Sequence, residues 1–379
     1  MKDLFNTALI ELTAKHIKKH YSDFDQHTFI AIASDSLEQR ELKDRANQIF
    51  RGLFETLPQQ FEQAIDILLR TLAPVEENVD LTDLTSNEQG LLGWIILPYS
   101  QYVGELGARP ENKVHLLLAL DALKQMTQRF SSEFGIRYLL LAYPEQTLQV
   151  MSDWCQHSCH HVRRLVSEGT RPLLPWAMQL PNFKNDPKLA MSHLQALRDD
   201  ESEYVRRSVA NHLNDVAKHH PDFVANIADK WLQEKPADIN RQRMLKHACR
   251  TLLKQGHPAT LATFGYFPPT ELNVQLTLNK QTVELGMPFE MQLEITNNSD
   301  TTNTLLVDYV IYHQKANGKL TPKVFKWKTL KIAGKEKVAI VKKHHIKPIT
   351  TRKYYPGKHQ CAIQINGQIL QSVDFTLTV

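Results

Sequence analysis

His161-Val162-Arg163-Arg164-Leu165 is answered 43 residues later by Tyr204-Val205-Arg206-Arg207-Ser208. An apolar residue followed by two arginines, opening an amphipathic helix and recurring at a period near 40, predicts a helical solenoid of HEAT type. Stacked repeats put equivalent positions in a row, so Arg163 and Arg206 are expected at similar depth on one inner wall. A row of guanidinium groups on a curved wall suits a phosphate backbone. The plainer reading, in which these arginines pair with acids of the adjacent repeat, has equal standing on two copies alone.

Working outward, apolar residues recur at three- and four-residue spacing from Asp3 to Gly256, as in Phe61, Ala64, Ile65 and Leu68, or Val114, Leu117, Leu118 and Ala122. Prolines at 58, 74, 110, 144, 172–181, 221 and 236 divide this region into helices. Pro268-Pro269 ends it. Beyond lie alternating runs such as Phe289, Met291, Leu293 and Ile295, with turn signals at Asn297-Asn298, Asn317-Gly318, Ala333-Gly334, Pro356-Gly357 and Asn366-Gly367. The expected architecture is an all-α HEAT-like helical-repeat solenoid over residues 1–266, followed by a small all-β Ig-like sandwich over residues 270–379.

Charge divides at the same place. Of 45 basic and 41 acidic residues, 30 and 33 precede Thr270, leaving 15 and 8 beyond it, so a helical region of −3 is joined to a strand region of +7. Between Lys315 and Lys358 there are 14 basic residues and one acid, Glu336, with Trp327, Tyr354 and Tyr355 interleaved. Such a surface attracts polyanions, although lysines on exposed strand edges also serve solubility. The best apolar run, Leu91 to Tyr99, is interrupted by Gly93 and Pro98 and is too short to span a bilayer. The opening Met-Lys-Asp-Leu-Phe-Asn lacks an apolar signal region, so a cytoplasmic location is expected. Cys155, Cys159, Cys249 and Cys361 are too few and scattered for a disulfide framework.

Three stretches carry a resemblance: Ser131-Ser132-Glu133-Phe134-Gly135-Ile136-Arg137; His161 through Ser167-Glu168-Gly169-Thr170-Arg171-Pro172; and Leu174-Pro175-Trp176. Together they resemble the AlkC-type alkylpurine DNA glycosylases, whose likeness extends from the first helix through the third arginine-bearing repeat. The C-terminal domain ending in Tyr354-Tyr355-Pro356-Gly357-Lys358-His359 is similar to the Ig-like attachment of one branch of that family. The Ser-Glu-Gly-Thr-Arg-Pro stretch is specific; a bare Val-Arg-Arg is weak.

The resemblance implies a monofunctional DNA glycosylase that removes bases alkylated at N3, 3-methyladenine and 3-methylcytosine among them. It implies acidic active-site positions at Glu133, Glu168 and Asp215 and a lesion-contacting aromatic at Trp176; DNA contacts are expected from Arg163, Arg171 and Arg206. The chemistry is consistent with those residue types. A base alkylated at N3 is already a cation and leaves neutral, so no general acid is required. What is needed is negative charge near C1′ as the sugar becomes an oxocarbenium ion, and a carboxylate to take a proton from attacking water. Composition alone would not nominate Glu133 or Glu168, since a glutamate near an arginine-rich helix is ordinarily a surface or paired residue.

Trp154-Cys155-Gln156-His157-Ser158-Cys159-His160-His161 has the residue types of a zinc site but no second ligand pair at a longer spacing, so neither metal nor another cofactor is expected. It reads instead as a loop between repeat helices, with His160 and His161 available to phosphate. The expected partner is double-stranded DNA containing alkylated bases, without membrane association, and the expected state is a monomer. The competing reading is a non-catalytic scaffold binding DNA or protein through its concave face. The two differ in one respect: a scaffold for DNA gains nothing from carboxylates held beside phosphates.

Overall fold

A computed structural model describes residues 2–75, 80, 81, 84–350 and 352–379 of the chain. Up to Thr263 the described residues are predominantly helical, and beyond Leu272 they form strands. They divide into two compact units, Met1–His219 and His220–Val379. The prolines act as the sequence suggested: Pro144, Pro181 and Pro221 each stand in the first turn of a helix, where the missing N–H would have no intrahelical partner. Elsewhere Asn6 and Asp25 cap their helices by accepting from the Leu9 and Thr28 amides. None of the described helices is long and apolar enough to cross a membrane.

In the first unit the two Val-Arg-Arg helices, His160–Gly169 and Glu203–Ala217, pack side by side. Val162, Leu165 and Val166 on one and Val205, Val209 and Leu213 on the other are fully buried. Ser167 Oγ donates to Ser208 Oγ at 2.6 Å across the seam, and the His212 ring lies 3.0 Å from the Ser167 carbonyl oxygen. Burial lowers the His212 pKa to about 4, so the seam is held by a neutral imidazole.

The second unit places the last helices, Pro221–Glu234, Ile239–Ala248, Arg250–Gln255 and Pro258–Thr263, with the strands. These strands are β1 (Leu272–Leu278), β2 (Thr282–Glu284), β3 (Pro288–Asn297), β4 (Asn303–Gln314), β5 (Leu320–Ile332), β6 (Lys337–His345), β7 (Gly357–Ile365) and β8 (Gln368–Thr378). They form a three-stranded sheet ordered β1-β3-β6 and a five-stranded sheet ordered β2-β8-β7-β4-β5. Phe289, Met291, Leu293 and Ile295 alternate into the core between the sheets against Val307, Ile311, Ile363 and Leu377. Asn366-Gly367, with φ of 45° and 82°, closes the β7–β8 hairpin. The helices join through a smaller cluster of Leu261, Tyr266 and Leu306, and the Asn366 side chain donates to the Phe267 carbonyl at 2.7 Å. The chemical break at Pro268-Pro269 is therefore not the packing break, which falls at His219/His220.

Three histidines are buried in the strand region: His313, His344 and His359. Burial, reinforced by Arg352 and neighbouring histidines, lowers His313 to about 3; burial, with His345 and nearby lysines, lowers His344 to about 4; burial also lowers His359. His313 and His344 are neutral in the folded protein at pH 6 and His359 is shifted toward its neutral form, whereas unfolded all three take up protons below about 6.5. Stability is thus complete above that value and falls with acid, by up to about 1.4 kcal/mol per pH unit for each histidine. Asp308, raised by burial to about 6, opposes this with one group's worth of the reverse dependence. The urea midpoint of the second unit should fall between pH 6.5 and 4.5, and His313→Phe should flatten the decline. A midpoint independent of pH would contradict this.

Candidate active site

The sequence brings two distant acids together through two glycines. A side chain at Gly135 would meet the Ser100 carbonyl oxygen at 2.1 Å, and one at Gly169 would meet Ile136 at 2.6 Å. Neither position admits a Cβ, so the segment bearing Glu133 lies directly against the Ile96–Gly107 helix, and the end of the helix bearing Glu168 lies against Ile136. The result is a line of alternating charge. Arg164 Nη1 donates to Glu133 Oε2, while its Nη2 lies 3.3 Å from Glu168 Oε1. Arg171 Nη1 donates to the same Glu168 oxygen at 2.6 Å, and its Nε to Asp215 Oδ2 at 2.9 Å. Lys218 ends the line, 3.1 Å from Asp215 Oδ1.

The carboxylates differ in what remains free. Glu168 is buried, with both oxygens engaged, Oε2 accepting from Ser208 Oγ at 2.7 Å. Burial opposes its ionisation, but Arg164 and Arg171, with the Ser208 hydrogen bond, outweigh that and hold its carboxyl below the ordinary range. Glu133 is half-buried. Its Oε2 also accepts from Ser131 Oγ at 2.6 Å, and its Oε1 has no hydrogen-bond partner among the described residues. Glu168 is therefore a fixed anion, and Glu133 a carboxylate with one oxygen available.

Both line a cleft of about 1300 Å³ with an aromatic wall that includes Trp94, Phe130, Phe134, Tyr138, Trp176 and Tyr204. Trp176 is 56 % exposed and has φ +67°, a left-handed conformation seldom adopted by a bulky side chain. An exposed indole on strained backbone is a common mark of a binding position. Arg164 lies 5.1 Å from the centre of the Tyr204 ring, against which His160 and His161 stand edge-on at 5.7 and 5.6 Å.

Of the residues singled out from the sequence, Glu133, Glu168, Arg171 and Trp176 line this cleft. Asp215, Arg163 and Arg206 are not part of its wall. Asp215 is buried behind Arg171. Arg163 is 7 % exposed, donating to Asp200 at 2.6 and 2.9 Å and to the His157 and Ser158 carbonyls. Arg206 donates to the Asp200 and Glu201 carbonyls. Arg163 thus ties its helix to the segment before the next Val-Arg-Arg helix, and Arg206 holds the turn that leads into its own; the second of each pair, Arg164 and Arg207, reaches the cleft. A helix turns about 100° per residue, so a one-position difference in phase separates the two faces. Arg171 reaches the cleft, with its Nη1 and Nε engaged by two carboxylates. Sequence reasoning also missed Ser208, Tyr204 and Lys43. The first two stand in the repeated motif and could have been found there; nothing local marks Lys43.

Residues 273–379 match the model of the C-terminal Ig-like domain of the uncharacterised protein YhaZ. Along nearly its whole length the chain is similar to the uncharacterised protein YhaZ of Bacillus subtilis strain 168, at 35% identity over 377 residues, covering 99% of this chain and 98% of that one. Its fold is similar to that of Pseudomonas fluorescens alkylpurine DNA glycosylase AlkC, solved bound to DNA containing an abasic-site analogue. The TM-score is 0.88 at 32% identity, covering 100% of this chain and 99% of that one.

Proposed function

The chain belongs to the AlkC-type family of alkylpurine DNA glycosylases, and from that premise we propose that it hydrolyses the N-glycosidic bond of cationic N3-alkylated bases, 3-methyladenine and 3-methylcytosine, in double-stranded DNA. The observation that carries this reading is the line Glu133–Arg164–Glu168–Arg171–Asp215 bordering an aromatic cleft. Three acids alternate with Arg164, Arg171 and Lys218, so the line is neutral as a whole, but Glu133 lines the cleft, shares Arg164 with Glu168 and keeps one oxygen free; its charge is in place before substrate arrives, so no reorganisation is required when positive charge develops on the sugar. As the C1′–N bond breaks, its electron pair neutralises the departing base. Glu168 and Glu133 then face the oxocarbenium ion. Glu133 Oε1 takes the proton of the water that attacks C1′, leaving an abasic sugar and no covalent adduct. Trp176 contributes a cation–π contact with the lesion worth about 0.5 to 2 kcal/mol. Asp215 acts through Arg171, as a positioning residue. The HEAT-like repeat reading accords with the paired Val-Arg-Arg helices, and the chain acts as a monomer without a cofactor.

Without a general acid, uncharged bases lose the about 10²- to 10⁴-fold that protonation of the leaving group would supply. Duplexes of one sequence, carrying either an N3-methylated cation or an uncharged damaged base such as uracil, test this. The expected result is release of the cationic base with the neutral one at least about 100-fold slower. Comparable release of both would overturn the proposal.

The lysines of the strand region are taken as phosphate-binding groups. Lys323, Lys326, Lys328 and Lys331 are exposed on β5, an edge strand. Because helices and strands pack as one unit, substitution is a cleaner test than truncation at Pro269. Changing these four to Gln should weaken DNA binding and flatten its salt dependence, by about 0.9 in slope for each phosphate no longer neutralised. An unchanged slope would assign them to solubility.

A further inference from the structure

The turn bearing Trp176 is built from elements far away in sequence. Arg137, fully buried, donates from Nη1 to the Gly169 and Arg171 carbonyls and from Nε to the Met178 carbonyl, each at 2.8 Å. One guanidinium thereby fastens both ends of the Gly169–Met178 stretch, which its planar fork can do and a lysine could not. The apex is left to another residue. Lys43, exposed on the Leu42–Thr56 helix, crosses 133 positions of sequence to donate from Nζ to the Trp176 carbonyl at 2.6 Å, and it lines the same cleft.

The left-handed conformation of a tryptophan is unfavourable by itself and persists only where its surroundings hold it. Trp176 is exposed, so apolar packing supplies little of that hold. A charge-assisted hydrogen bond to its own carbonyl fixes the peptide plane, and with it the direction of the ring. We propose that Lys43 is a positioning residue that holds the Trp176 ring against the lesion. This rests on the glycosylase reading and goes beyond it, since a lysine beside DNA would otherwise be taken for a phosphate-binding group.

The two roles separate experimentally. Lys43→Met keeps the stem and removes the donor. If Lys43 positions the ring, the substitution lowers single-turnover excision at saturating enzyme by about 3- to 30-fold, no more than the ring contact itself supplies, and leaves Kd for a duplex containing a tetrahydrofuran abasic analogue unchanged. In a Trp176→Ala background the same change alters the rate by less than about 2-fold. A phosphate-binding lysine gives the opposite pattern: weaker binding, a salt slope lowered by about 0.9 and an unchanged saturated rate. That pattern, or an equal fall in rate in both backgrounds, overturns the proposal. A readout free of activity comes from 5-fluorotryptophan labelling. The five tryptophans give five fluorine signals, Trp176 being assigned by its disappearance in Trp176→Phe, and Lys43→Met should move or broaden that signal alone. If the unaltered protein releases no base, the glycosylase reading falls, and an unmoved Trp176 signal then overturns the positioning role as well.

Discussion

Glu168→Gln should lower single-turnover excision by about two to three orders of magnitude, a loss of roughly 3 to 4 kcal/mol of transition-state stabilisation, while leaving the fold intact. The surroundings of Glu168 explain why the substitution separates charge from shape. A glutamine can keep its carbonyl toward Arg171 and present its amide to Ser208 Oγ, which already accepts from Ser167. What disappears is the charge, and the line from Glu133 to Lys218 goes from neutral to one net positive charge. Binding to an uncleavable duplex should hold or tighten slightly, because an anion has been removed near phosphates. Rate and affinity would thus move in opposite directions. A Gln variant with near-normal excision, or one inactive only because it no longer binds or folds, would remove Glu168 from the chemistry.

Arg171→Met should destabilise the protein by about 3 to 5 kcal/mol at pH 7. Glu168 and Asp215 share this guanidinium, and both are buried, so its removal leaves two carboxylates with reduced compensation, Glu168 keeping Arg164 and Asp215 keeping Lys218. With Arg171 gone, burial raises the folded pKa of Glu168, which makes the deficit depend on pH. With the folded value above the unfolded one, the folded state binds more protons and the variant regains stability as pH falls. Urea denaturation at pH 7 and pH 5.5 should therefore show a gap to the unaltered protein that narrows with acid. A destabilisation under about 1 kcal/mol, or one independent of pH, would mean that Arg171 is not the electrostatic centre of the site.

Periodicity and turn chemistry were legible in the sequence because they are local. Alternation in Phe289, Met291, Leu293 and Ile295 gave β3 and its inward face, and Asn366-Gly367 gave the β7–β8 hairpin. The repeated Val-Arg-Arg located two helices that do pack together, through the buried Val162 and Val205. It pointed to Arg163 and Arg206, whereas Arg164 and Arg207 line the cleft, since a two-copy motif does not set helix phase to within one residue. The division at His219/His220 was hidden because composition changes where strands begin, whereas packing follows Leu261 and Tyr266 onto the sheet. Glu133 and Glu168 were nominated through family resemblance, and the physical reason they meet, the two glycines that admit no Cβ, emerges only in three dimensions. Lys43 was invisible, as a surface lysine on a polar helix face carries no local sign of a partner 133 residues away.

The central claim is that this cleft breaks a glycosidic bond without metal or nucleotide. Purified protein, incubated in EDTA with duplex DNA carrying 3-methyladenine or 3-methylcytosine at one position, can be assayed for free base and for abasic sites by chromatography. Free base is expected in amounts matching the abasic sites formed, with no strand cleavage attributable to the protein. Binding of the duplex with no base released would contradict it and leave a DNA-binding scaffold in its place.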